Sequence, residues 1–362
     1  MARKLTLILA LALGVLAPAS ARADLPPGFI GIAPQHVTND ADLRLMREAG
    51  VRSVRLPLFW GEIQQRSPRL ARPSWDSFDH EVEMAARFGI RVFPVIVDSP
   101  EWATSESKAL PVRTAWQRWA WANFLRAAAH RYGPGGAFWH QRPDLPARPI
   151  RRWEIWNEQN LVTFARDPDP KRYAIALRIA GRVLHRQDRG AQVLVGGLFG
   201  RPLQIPPNVG SGEFLAGLYR AGNVKRFFDG VALHPYVADY RAMGAQLRNL
   251  RRIMRRFGDG RTRLYVTELG WGSRGGPTRW ERGIWGQANQ LSRAFAMLSR
   301  QRRNWRIGGV WWYTWTDEGG SCLFCSSAGL LTEDREAKPS WYRFNAWTGG
   351  DPDVVPRAPV GR

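Results

Sequence analysis

The strongest constraint on this chain is a rhythm. Short apolar runs alternate with longer amphipathic stretches over most of its length. Such alternation predicts βα units and a parallel sheet. The first strand is expected over residues 29–33, and a helix over 38–49 with Thr38 or Asp40 as cap and Gly50 as stop. The second strand covers 51–57. The helix from Trp75-Asp76 to Phe88 keeps Phe78, Val82, Ala85 and Ala86 at helical spacing and ends at Gly89. The third strand spans 90–97, and a long helix over about 113–132 is stopped by Gly133-Pro134-Gly135-Gly136. The fourth strand leads into Trp153-Glu154-Ile155-Trp156-Asn157-Glu158. The following helix starts at Asp169-Pro170 and buries Tyr173, Leu177, Ala180 and Leu184. Further strands are expected over 192–198, 228–234, 264–268 and 309–315, with a last helix over about 340–347. Eight strands with intervening helices predict a single (β/α)8 barrel with enlarged βα loops over residues 24–348. A doubly wound sheet is the competing layout. It would carry a Gly-rich phosphate turn after an early strand, and the sequence has none. Residues 349–362 read as a flexible tail.

Residues 1–23 stand apart. Arg3 and Lys4 precede an apolar run over 5–16, and Ala21-Arg22-Ala23 supplies small residues for cleavage, the pattern of a secretory signal peptide. The run is short for a membrane span, so the mature chain is expected to be secreted or periplasmic, without a spanning segment. Cys322 and Cys325 are the two cysteines. In an exported chain this C-x-x-C pair is expected to close a disulfide. A thioredoxin-like site would need an early strand–helix context, and a zinc site two further ligands nearby in sequence. The formal charge is +22, which raises nucleic-acid binding as a reading. However, only five of the 53 basic residues are Lys, and the Arg are scattered rather than gathered into a stripe. A solvated basic surface is the better reading. It leaves room for attraction to an anionic cell surface or acidic glycan, without specific nucleic-acid binding.

In a barrel of this kind chemistry sits at the carboxyl ends of the strands. The polar residues expected there are Arg55, Asn157, Glu158, His234, Tyr236 and Glu268. A carboxylate at the end of an apolar strand is costly unless something uses it. Glu158 and Glu268 close the fourth and seventh strands, which face each other across the mouth. Two such carboxyl groups about 5–5.5 Å apart serve as nucleophile and acid/base in retaining glycoside hydrolysis. The two must differ in protonation. Arg55 and Tyr236 are suited to keeping one carboxylate ionised, and Asn157 to holding a sugar hydroxyl. Read alone, Arg55 is half of a structural ion pair with Glu154, and His234 a satisfied core histidine.

Taken together these residues resemble glycoside hydrolase clan A. The wording Trp156-Asn157-Glu158-Gln159-Asn160, Leu233-His234-Pro235-Tyr236 and Thr267-Glu268-Leu269-Gly270-Trp271 is similar to family 39 and to the cellulase-like family 5. The resemblance runs from Gly31 to Trp347. It implies Glu158 as acid/base, Glu268 as nucleophile, Asn157 as ligand of the 2-hydroxyl, and Arg55, His234 and Tyr236 in support. It also implies a retaining double displacement without cofactor. Gln159 is a departure, since many members have Pro there.

Aromatic residues suggest the substrate class. Trp60, Trp102, Trp271 and Trp312 fall in or just after strand ends, where flat faces suit pyranose rings. Core packing is the alternative for each, and sugar contact is the expectation for Trp271 and Trp312. The overall expectation is an exported retaining β-glycosidase acting on a polysaccharide or oligosaccharide. A catalytically silent carbohydrate-binding barrel is the alternative.

Overall fold

The computed structural model describes residues 25–34, 39–201, 206–276, 278–319 and 322–356. The expected signal peptide and Thr38 lie outside the described residues. Eight parallel strands close a barrel in sequence order. They are β1 (Ile30–Ile32), β2 (Ser53–Phe59), β3 (Arg91–Val97), β4 (Arg152–Ile155), β5 (Gln192–Phe199), β6 (Gly230–His234), β7 (Arg263–Leu269) and β8 (Ile307–Trp312). Between them run α1 (Asp40–Glu48), α2 (Trp60–Ile63), α3 (Asp76–Arg87), α4 (Ala115–Tyr132), α5 (Ala137–Gln141), α6 (Pro170–Gln187), α7 (Ser211–Arg220), α8 (Tyr240–Arg256) and α9 (Ile284–Gln301). The helix α10 (Pro339–Thr348) follows β8.

Local chemistry explains the boundaries. Asn39, rather than Thr38 or Asp40, caps α1, its side chain accepting from the Asp42 amide at 2.9 Å. Thr114 and Gln117 form a reciprocal capping box at α4. Asp169 caps α6, and Pro170 takes the first helical position, where no amide hydrogen is needed. The stripes predicted for α3 and α6 are buried as expected. Among the described residues no helix is long and apolar enough to cross a membrane. The chain beyond α10 is held at its start: the Asp351 amide donates to Glu48 O at 3.0 Å, and Asn345 Nδ2 to Asp351 O at 2.7 Å.

The barrel is filled, not hollow. Phe93, Leu194, Ala232, Tyr265 and Trp311 pack inside it. The Arg152 guanidinium lies over the rings of Phe93, Tyr265 and Trp311, 5.1–5.5 Å from their centroids. Two irregularities shape the mouth. The pairing of β7 with β8 slips between Val266 and Leu269. That slip lets two consecutive side chains, Thr267 and Glu268, both face the interior, which regular alternation forbids. At the end of β4, Trp156 and Glu158 adopt positive φ, 69° and 42°. The strand therefore stops at Ile155, and Asn157 and Glu158 stand on a turn above it.

Candidate active site

Arg55 is the hub of the mouth. It projects from β2 and is 6% exposed. Its Nε donates to Glu154 Oε2 at 3.0 Å and Nη2 to Glu154 Oε1 at 2.9 Å. Nη2 also reaches Asn157 Oδ1 at 2.8 Å, and Nη1 reaches Glu268 Oε1 at 2.7 Å. The structural ion pair and the support of Glu268 thus coexist on one guanidinium. Burial works against the Arg55 charge, but Glu154 and Glu268 outweigh it and raise the pKa. With Oδ1 committed to Arg55, Asn157 keeps its amide hydrogens for the cleft, which it lines.

Glu268 takes a donor on each oxygen, Arg55 on Oε1 and the Tyr236 hydroxyl on Oε2 at 2.6 Å. Glu158 is paired with His234 instead, Nδ1 lying 2.7 Å from Oε1. One carboxylate oxygen of Glu158, one of Glu268 and a ring nitrogen of His234 lie within 4.8 Å of one another. Such spacing also suits a metal ion. Both Glu268 oxygens already accept hydrogen bonds, however, and Arg55 already brings a cation, which makes the trio a poor ligand set. Burial pushes Glu158 and Glu268 above the ordinary carboxyl range. At Glu268 the Arg55 charge and the Tyr236 hydrogen bond oppose that rise. Burial lowers the pKa of His234, favouring the neutral ring.

The turn bearing Glu158 is fastened to the neighbouring strand. The Glu158 amide donates to Gly197 O at 3.0 Å, and Gln159 Nε2 to Gly196 O at 3.1 Å. Asn160 exchanges hydrogen bonds with the Phe199 backbone and donates to Val209 O. Gln159, the departure noted in the sequence, is one of these fasteners.

A cavity of about 310 Å³ opens over Arg55, Asn157 and Glu268, while Glu158, His234 and Tyr236 lie behind its lining. Arg55, Asn157, Glu268, Phe59, Phe164 and Tyr313 contribute to its walls. The tryptophan expectations need correction. Trp60, Trp271 and Trp312 are 0% exposed and cannot stack on a sugar. Trp60 packs on Trp121 and Phe124, and Trp312 on Trp271 and Phe295. Trp102 is half-buried outside the cavity wall, its Nε1 donating to Gln64 O at 2.7 Å. On β8, Trp311 points into the barrel and Trp312 out to the helices, so Tyr313 is the residue that reaches the cleft. The strand ends at Trp312 rather than at residue 315. The sequence reading also missed Asp98, Lys108, Phe59 and Phe164, which line the cavity; alternation from Arg55 would have pointed to Phe59. Cys322 and Cys325 form the expected disulfide, and the Tyr313 hydroxyl lies 3.2 Å from Cys325 Sγ.

Comparison with solved structures places this geometry in context. A family 39 glycoside hydrolase from Bacteroides cellulosilyticus WH2 aligns with a TM-score of 0.66 at 21% identity, over 89% of this chain and 63% of its own. The fold is one shared with glycoside hydrolases. A monomeric β-xylosidase from Caulobacter crescentus CB15 aligns at 0.62 and 18% identity, over 88% and 67%. An exo-β-1,4-mannosidase from Opitutaceae bacterium strain TAV5 aligns at 0.60 and 14%, over 88% and 59%. The chain thus spans about two thirds of the length of these structures. No protein-family model matches its sequence. No curated protein matches it either.

Proposed function

We propose that this chain is an exported retaining glycoside hydrolase, with Glu268 as nucleophile and Glu158 as acid/base. The observation that carries the reading is the approach of the two carboxyl groups within 4.8 Å at the mouth of the barrel. That spacing suits direct attack and leaves little room for the water an inverting enzyme needs. In the first half-reaction a Glu268 oxygen attacks the anomeric carbon while Glu158 gives its proton to the leaving oxygen. In the second, Glu158 takes a proton from water, and that water displaces Glu268. Arg55 and Tyr236 favour the ionised nucleophile before attack and accept its return as leaving group. Asn157 presents its amide to a sugar hydroxyl. The substrate is a polysaccharide or oligosaccharide, held against Phe59, Phe164 and Tyr313 in place of the tryptophans.

Export is supported by the N-terminal sequence pattern and by the Cys322–Cys325 disulfide. Glu268→Gln is expected to abolish release of nitrophenol from an activated aryl β-glycoside. Glu158→Ala is expected to regain turnover with azide. Wild-type activity in both variants would refute the assignment.

A further inference from the structure

We propose that Thr267 keeps Glu158 protonated by fixing the tautomer of His234. Thr267 is a positioning residue, and the assignment rests on reading Glu158 as the acid. Four side chains form one buried line. Thr267 Oγ1 lies 3.3 Å from Glu154 Oε1 and 3.0 Å from His234 Nε2. His234 Nδ1 lies 2.7 Å from Glu158 Oε1. Glu154, Thr267 and His234 are 0% exposed and Glu158 is 5% exposed, so these groups must satisfy one another rather than water.

The proton count then decides the arrangement. Thr267 has one hydroxyl proton and two acceptors in reach. Glu154 is ion-paired with Arg55, and donation to a charged carboxylate outweighs donation to a neutral ring nitrogen. With its proton turned to Glu154, Thr267 Oγ1 accepts, and His234 carries its ring proton on Nε2. Nδ1 is then a bare lone pair 2.7 Å from Glu158. A carboxylate there would set lone pair against lone pair, whereas a carboxylic acid donates. The ring does not escape by taking a second proton, because its burial disfavours the imidazolium.

The surrounding charges agree. Arg55 faces the line from β2, Glu154 from β4 and Glu268 from β7, 3.5 Å from His234 Nδ1. Tyr236 and Tyr313 face it beyond β6 and β8. Arg55 offsets one of the two carboxylates Glu154 and Glu268, so a third negative charge at Glu158 is opposed.

The test uses the full chain labelled with ¹⁵N-histidine. The His234 signals are assigned among six histidines by their absence in His234→Gln. The expected spectrum shows the ring proton of His234 on Nε2. In Thr267→Val the ring loses its acceptor, the proton moves to Nδ1 and donates to Glu158. The alkaline limb of kcat/KM for an aryl β-glycoside then falls by about one pH unit or more. Thr267→Ser restores both tautomer and limb. A merely structural role would lower activity or stability without moving either. A proton on Nδ1 in the wild-type chain, or an unmoved limb and tautomer in Thr267→Val, overturns the proposal. If the Val variant does not fold, the wild-type and Ser spectra still decide. The tautomer is read without turnover, so a chain inert toward glycosides would fail the hydrolase reading and leave this assignment to its own test.

Discussion

Under the proposed glycoside hydrolysis, removing the Tyr236 hydroxyl should raise the pH at which turnover sets in. The ring is 6% exposed and packs against Phe324 and Phe199, with centroids 5.1 and 6.0 Å away. Phe therefore fills the same space, and Tyr236→Phe deletes one contact, the 2.6 Å donation to Glu268 Oε2. Hydrogen bonds to charged groups are worth about 1.5–3 kcal/mol. The donation favours the ionised carboxyl, so its loss favours the protonated one and raises the pKa of Glu268. At about 1.36 kcal/mol per pH unit, the acid limb of kcat/KM should move upward by about one to two units. The alkaline limb should move less, because Glu158 keeps His234 as its partner. The assay is a kcat/KM–pH profile on an activated aryl β-glycoside, with circular dichroism as the folding control. An acid limb that stays in place, or moves to lower pH, would refute the reasoning.

Two other substitutions probe the scaffold. A methyl group at Gly197 would lie 1.9 Å from His234 Nε2, so space, not backbone freedom, demands glycine there. Gly197→Ala should cost about 1–3 kcal/mol and lower the thermal midpoint by several degrees; an unchanged midpoint would count against the packing described. His185 is hydrogen-bonded to Asp229 at 2.8 Å, which raises its pKa. A raised folded-state pKa gives stability that is complete below the unfolded value, about 6.5, and fades as pH rises through the folded one. Urea unfolding of His185→Gln should therefore show a clear loss at pH 5.5 and little at pH 9, and equal losses would contradict the pairing.

The strand order was legible from the alternation of apolar runs with amphipathic stretches, and the paired carboxylates because the fourth and seventh apolar runs each break into a Glu. The tryptophans were not. Parallel strands are buried on both faces, so their sequences do not mark which side chain points inward. Trp312 and Trp271 took the broad gap between sheet and helices, and the cleft position passed to Tyr313. Thr267 was hidden for a related reason. Its neighbour Glu268 faces the same way only through the slip in the β7–β8 pairing, which no composition reveals. Asp98, Lys108 and Phe164 depend on loop paths and had no periodic signal.

The Arg152 plug gives the vessel a closed floor. Whatever enters at the mouth must also leave by it. Under the proposed double displacement, the departing aglycone and the incoming water share that doorway in turn. A slow-leaving aglycone would block hydrolysis and be well placed to recapture the sugar, so acceptor crowding at the rim would steer that reaction toward transfer.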